Sequence, residues 1–144
     1  MTFPQNLIHP HLITLMILGA ALLFSNGCID AVDGPDITSV TVTPGSISKS
    51  ETGMTDESFT VVIQTSGFES ELTGATVAIQ DLDPPLEGQP LEDPTISGDT
   101  ITLRILKSWL GGLDEGTYSI ETTVTSELTT IKQGNSATVT ITPN

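Results

Sequence analysis

Short runs in which apolar and polar residues alternate follow one another from residue 37 onward. In the run Ser58–Thr65, Phe59, Val61 and Ile63 occupy every second position. Successive side chains of a β-strand point to opposite faces, so this period places the apolar side chains of a run on one face. Gly, Pro and Asn residues punctuate the runs, as they do the ends of strands. The pattern recurs in the segments 37–44, 58–65, 74–80, 95–97, 100–106, 116–125 and 136–142.

These segments predict an all-β protein. β-Branched residues dominate them, as a pleated and half-buried surface favours, and no stretch after Cys28 carries a helical apolar stripe longer than a turn or two. About seven short strands at this spacing are typical of a single two-sheet sandwich. We expect Phe68 to plug one end of the core and Trp109 to cover a corner. The expected inward-facing residues are Val40, Val42, Phe59, Val61, Ile63, Ala75, Val77, Ile79, Ile101, Leu103, Ile105, Tyr118, Ile120, Val124, Ala137, Val139 and Ile141.

Polar segments predict the connections between the strands. Ser46–Glu57 predicts a loop with one short strand around Ile47. Gly98-Asp99, flanked by two alternating runs, predicts a hairpin turn. Glu127–Asn135 is polar and predicts a further loop.

An apolar run near the start of the chain, Leu12–Phe24, contains a single polar residue, Thr14. A membrane-spanning helix needs ~20 apolar residues, so this run is too short to span and is typical of the apolar region of a secretory signal peptide. Small residues follow it and lead to Gly27 and Cys28, the only cysteine. An ordinary signal peptide is one alternative, but no Ala-x-Ala cleavage site lies nearby. A buried helix of the domain is the other, but the composition changes after Cys28 to acidic, Thr-rich and strand-like.

The stretch ending in Gly27-Cys28 resembles the lipobox of bacterial lipoproteins. The resemblance implies cleavage after Gly27 and attachment of lipid to the Cys28 thiol; Ser25 stands where that motif usually has Leu, and residues 1–11 contain no Lys or Arg. The predicted organisation is a signal peptide with its helix at 1–27, a lipidated cysteine and short tether at 28–36, and a sandwich at 37–144. Because Ile29 and not Asp follows Cys28, the enteric sorting pattern that this resembles implies the outer membrane, on its periplasmic or surface side.

Composition excludes several classes of function. All 4 Lys and Arg and all 18 Asp and Glu follow Cys28, so the exported part carries the whole net charge of −14, which repels nucleic acid and anionic lipid. With one cysteine, no internal disulfide forms. Both histidines lie before residue 28, which leaves the domain without a Ser-His-Asp set or a Cys/His zinc site. We therefore expect no enzymatic activity and no cofactor, with carboxylate-only catalysis as the remaining enzymatic route.

The segment Asp81–Pro94 contains four prolines and excludes a regular strand or helix. We expect it to be a long surface connection between the two sheets. Its oxygen ligands suit Ca²⁺, but their spacing differs from that of an EF-hand loop, and a solvated acidic loop is the favoured interpretation. The weak Ca²⁺ candidates are Asp81, Asp83, Glu87, Glu92 and Asp93.

Two further motifs resemble immunoglobulin-like domains. Leu113, Gly116 and Tyr118 resemble the tyrosine corner, in which the Tyr hydroxyl bonds back to the corner backbone. Gly67-Phe68 followed by the run from Gly74 resembles IPT/TIG-type domains, which often have Gly where this chain has Thr65. The resemblance implies an immunoglobulin-like sandwich that serves as a binding or spacing module.

The sequence thus predicts a membrane-anchored lipoprotein with a non-catalytic domain for binding, adhesion or structure, and with an unknown protein or envelope partner. The alternatives are a Ca²⁺-dependent binder or a carboxylate-based enzyme that uses the segment 81–93, and an accessory subunit of an envelope assembly. Exposed strand faces such as that of Thr123 and Thr125 offer a surface to a protein or a sugar. Sugar binding ranks low, because each aromatic residue of the domain has a predicted core or corner role.

Overall fold

The computed structural model describes residues 34–88 and 90–144. The predicted signal peptide, Cys28 and the tether as far as residue 33 lie outside the described residues. Among the described residues, no helix has the length and apolar character needed to cross a membrane.

The described part of the chain folds into two mainly antiparallel sheets packed face to face, which confirms the predicted all-β sandwich. One sheet has the strand order β1-β3-β7-β6 and the other has the order β2-β9-β8-β4-β5. Two short 3₁₀ helices, Glu51–Gly53 and Lys107–Leu110, complete the fold. The strands are β1 Asp36–Thr43, β2 Ser46–Ser48, β3 Ser58–Ser66, β4 Leu72–Ile79, β5 Leu86–Glu87, β6 Thr95–Ser97, β7 Thr100–Leu106, β8 Gly116–Ser126 and β9 Thr130–Thr142.

Alternation builds the core as predicted. In β3, Phe59, Val61 and Ile63 are at most 1% exposed, and they pair with buried positions of β7 across the sheet. The second sheet supplies the opposite wall from β4, β8 and β9. Truncating an Ile or Leu buried this completely to Ala lowers the stability of a folded protein by about 2–5 kcal/mol. These two walls are therefore the main source of stability.

The two ends of the core are covered by aromatic residues, as expected. Trp109 is 5% exposed and stacks on Phe59, with 6.0 Å between the ring centroids. Phe68 is half-buried and packs against the core from the connection between β3 and β4.

The first strand segment contributes to both sheets. β1 pairs antiparallel with β3, and after Pro44 and Gly45 the chain enters the other sheet, where β2 pairs parallel with β9. The short strand expected around Ile47 is therefore present, and Ile47 is buried.

Strand directions define two poles of the sandwich. At one pole the start of β1 lies beside the end of β3, since Asp36 pairs with Ser66, and the turn after β8 lies beside the start of β4, since Leu72 pairs with Ser126. We call this end the N-terminal pole; it comprises residues 34–36, 67–71, 98–99 and 127–129. The opposite end, the distal pole, carries both 3₁₀ helices.

Two sequence predictions about connections were wrong. The loop expected at Glu127–Asn135 is only a turn, because β9 begins at Thr130 and pairs with the last residues of β8. Within Asp81–Pro94, Leu86 and Glu87 form β5, because this proline-free stretch retains the backbone N–H groups that pair with β4. The described chain has nine strands: the seven main segments, the expected short strand β2, and β5, which was not expected.

Candidate functional site

The acidic connection between β4 and β6 does not gather its carboxylates. Among the described residues, no group of three or more Asp, Glu, His or Cys side chains lies close enough to hold a metal ion. Glu92 instead pairs with Arg104 at 3.2 Å, and both side chains are about half exposed. The candidates Asp81, Asp83, Glu87 and Asp93 are all exposed along the connection. The geometry therefore gives no support to the Ca²⁺ hypothesis.

An ion cluster built around a buried lysine occupies the distal pole. The ammonium of Lys107, a residue only 7% exposed, lies 2.7 Å from Glu51 Oε1 and 2.6 Å from Glu57 Oε2. Glu51 Oε2 also accepts a hydrogen bond of 2.8 Å from the backbone N–H of Ser48. The cluster thus joins the 3₁₀ helix at Lys107 to the loop that carries Glu51 and Glu57.

The charges of this cluster stabilise one another. The hydrogen bond from Lys107, followed by those from Ser48, lowers the pKa of Glu51 to about 2. The hydrogen bonds to Glu51 and then Glu57 raise the pKa of Lys107. In its protonated form Lys107 cross-links Glu51 and Glu57 through two charged hydrogen bonds.

Backbone contacts tie the same pole together. The ammonium of Lys49 donates hydrogen bonds to the carbonyl oxygens of Leu113 and Gly111. The hydroxyl of Thr52 donates to the carbonyl oxygen of Lys49 at 2.8 Å. Gly111 packs so closely on the carbonyl of Thr52 that a Cβ atom there would lie 2.9 Å from that oxygen.

The tyrosine corner is present at the same pole. The hydroxyl of Tyr118 donates a hydrogen bond of 2.9 Å to the carbonyl oxygen of Asp114, and Leu113 is buried beside it. The chain therefore turns from the second 3₁₀ helix into β8 with the geometry that Leu113, Gly116 and Tyr118 predicted.

A small recess lies at the N-terminal pole. Its volume is about 140 Å³, and it opens beside the residues from which the chain enters β1. Leu128, at the tip of the turn between β8 and β9, is 76% exposed and forms one wall. The full lining is Pro35, Gly67, Glu69, Ser70, Leu128 and Thr129.

The threonine-rich strand faces form the remaining candidate surface. Thr123 and Thr125 are half-buried on β8, and the carbonyl oxygen of Thr125 accepts a hydrogen bond from the hydroxyl of Thr73. Each of the aromatic residues considered for sugar binding is buried or half-buried, so none lies fully open beside these faces.

Sequence reasoning missed the Lys107 cluster and the Leu128 recess. Lys107 follows an apolar strand with nothing nearby to indicate that Glu51 and Glu57 return to it. Leu128 lies in a polar turn, where an isolated Leu is unremarkable because folded proteins expose many apolar atoms.

Comparison of the chain with protein-family models, with curated proteins and with solved structures returned no match. The class of protein that the structure defines is an all-β protein with two sheets packed as a sandwich.

Proposed function

We propose that this chain is an exported lipoprotein whose sandwich, held at a membrane by lipid on Cys28, acts as a non-catalytic module for binding, adhesion or structure. The observation that carries the proposal is the apolar run Leu12–Phe24 closing on Gly27-Cys28 immediately before an acidic β domain. Ile29 after Cys28 favours delivery to the outer membrane. An unidentified envelope protein is the partner we expect.

The distance between anchor and domain supports this arrangement. β1 begins at Asp36, eight positions after Cys28. Eight extended residues span at most ~28 Å, which keeps the sandwich close to the membrane. A single acyl chain binds a membrane only marginally, so stable anchoring requires the two or three chains that the lipobox resemblance implies.

The arrangement of charged groups supports a module without catalysis. Glu51 and Lys107, whose pKa values are shifted among the residues that the structure describes, neutralise each other in a cross-link. The described carboxylates of the acidic connection are exposed and form no group of three or more that could hold a metal ion. An immunoglobulin-like, IPT/TIG-like domain of this kind presents surfaces to partners, and fold alone does not name them.

Mass spectrometry of the protein isolated from bacterial membranes tests the anchor. We expect the amino terminus to be Cys28 carrying diacylglycerol, and Cys28→Ser to move the protein from the membrane fraction to the soluble exported fraction. Ser25→Ala, which changes the neighbouring sequence and keeps the thiol, is the control and should remain in the membrane. An unmodified Cys28 or a start elsewhere would overturn the proposal.

The partner is tested by recovery from detergent-solubilised membranes after cross-linking. A protein recovered in fixed ratio with the chain supports a binding module. Recovery of the chain alone, with intact lipidation, would favour a purely structural role.

A further inference from the structure

The N-terminal pole combines an exposed apolar tip with a particular placement in the chain. Leu128 is 76% exposed, compared with 44% for Met54 and 41% for Leu91. It borders the same recess as Pro35, which is seven residues beyond Cys28. Seven extended residues span at most ~25 Å, so an anchor on Cys28 holds this pole within that distance of the lipid.

The turn that carries Leu128 is held in place by hydrogen bonds. The buried hydroxyl of Ser126 accepts hydrogen bonds from the backbone N–H of Thr129 at 3.2 Å and from the hydroxyl of Ser70 at 2.9 Å. The backbone N–H of Glu127 donates to the carbonyl oxygen of Glu71 at 3.2 Å. These bonds fix the turn to the connection between β3 and β4, so the exposure of Leu128 is set by the fold.

The charge around this tip decides which lipid it can meet. No Lys or Arg lies within the residues of the N-terminal pole, and its described acidic residues are all exposed. An anionic headgroup layer repels such a surface, whereas a zwitterionic layer does not. The acidic residues are Asp36, Glu69, Glu71, Asp99 and Glu127.

We propose that the N-terminal pole, with Leu128 at its tip, rests on the zwitterionic lipid surface that carries the anchor. This inference rests on the proposed lipoprotein function. Leu128 enters the interfacial region, the recess beside it is covered by headgroups, and the distal pole points away from the membrane. Anionic lipid repels the acidic residues and separates the N-terminal pole from the surface, while the lipid on Cys28 keeps the protein attached.

Paramagnetic line broadening in nanodiscs tests the contact. The protein isolated from membranes is reconstituted in phosphatidylcholine discs that contain a headgroup-spin-labelled lipid, and amide signals are compared with those in unlabelled discs. We expect Leu128 and Thr129 to lose most of their signal intensity while Met54, 44% exposed at the distal pole, retains it. Leu128→Ser should restore the signal of Thr129, and Met54→Ser, the matched control, should change nothing.

Lipid charge gives the second arm of the test. Discs with phosphatidylglycerol should preserve the Leu128 and Thr129 signals at low salt, and added salt should restore broadening by screening the repulsion. Equal broadening at both poles, no effect of Leu128→Ser, or broadening independent of lipid charge would each overturn the proposal. Signal changes at Leu128 that follow protein concentration without discs would indicate a second copy of the chain, and would also overturn it.

The contact and the anchor can fail separately. If mass spectrometry finds Cys28 unmodified, the lipoprotein function fails, and the same nanodisc experiment is then run with Cys28 coupled to maleimide-bearing lipid. The contact at Leu128 is then tested with the anchor imposed chemically.

Discussion

The ammonium of Lys107 lies 2.6 Å from the carboxylate of Glu57, although the two residues are 50 positions apart in the chain. A second carboxylate, that of Glu51, completes the coordination at 2.7 Å. The lysine is buried, whereas both glutamate side chains are partly exposed. This difference in burial determines whether removing the lysine or removing the glutamates costs more stability.

Removing the carboxylates should cost more stability than removing the lysine. In Glu51→Gln/Glu57→Gln, the buried ammonium keeps its charge without a counterion, and we expect a greater loss of stability than in Lys107→Met. In Lys107→Met the glutamates remain solvated and the apolar stem is preserved, so the loss should be about 1 kcal/mol or less. Urea denaturation at pH 7 measures both.

The exposed pair of Glu92 and Arg104 provides the control. Glu92→Gln should change stability by less than about 0.5 kcal/mol, as is usual for an exposed ion pair. A Lys107→Met variant less stable than the double glutamine variant would contradict this account of the cluster.

The cluster also predicts a difference in acid stability. The pKa of Glu51 falls from its ordinary 4.5 to about 2 in the folded protein, so its contribution is complete above pH 4.5 and is lost as the pH falls towards 2. Lys107→Met removes the largest cause of that shift. We therefore expect the stability of the wild-type protein to fall more steeply across this window than that of the variant, measured by denaturation at several pH values.

At alkaline pH the sign is reversed. The pKa of Lys107 is raised, so its contribution is complete below the ordinary value of 10.5 and is lost as the pH rises through the raised value. Parallel pH profiles for wild type and Lys107→Met would show that the cluster does not couple to folding.

Two adjacent glycines offer a matched test of packing at the distal pole. A Cβ atom on Gly111 would lie 2.9 Å from the carbonyl oxygen of Thr52 and 3.1 Å from that of Ser108, whereas one on Gly112 meets nothing within 4 Å. Gly111→Ala should lose about 1–3 kcal/mol, since backbone atoms must move. Gly112→Ala should be close to neutral in the same thermal and urea measurements. Equal effects at the two positions would refute the close contact between the 3₁₀ helices.

The tyrosine corner should contribute through its hydroxyl. Tyr118→Phe removes the 2.9 Å hydrogen bond to the carbonyl oxygen of Asp114 and keeps the ring, so we expect a loss of about 1 kcal/mol. Tyr118→Leu removes the ring as well and should cost more. A Phe variant as stable as wild type would mean that water replaces this bond without cost.

The parts of the fold that sequence reasoning predicted depend on local pattern. The spacing of Phe59, Val61 and Ile63 predicts that they share a face, because the side chains of a strand return to the same face every two residues. The tyrosine corner could be predicted because the hydroxyl of Tyr118 bonds to the carbonyl oxygen of Asp114, only four positions earlier. The residues that form such features lie within a few positions of one another in the sequence.

The parts that it missed depend on distant partners. The start of β9 is polar, and its pairing with Thr122–Thr125 follows from the tight turn that Ser126 organises. Lys107 appeared as an isolated charge because Glu57 lies beside it only when β3 pairs with β7, and Glu51 only when the first 3₁₀ helix packs at the same end.

The passage of the first strand segment from one sheet to the other has a mechanical consequence. β1 and β2 run away from the N-terminal pole, and β2 lies parallel to β9. A force that pulls residue 36 and residue 142 apart therefore acts along these strands and shears the bonds between β2 and β9, which share the load and do not open one by one. A domain tethered at the N-terminal pole and loaded at the distal pole would thus resist tension along its stiff direction.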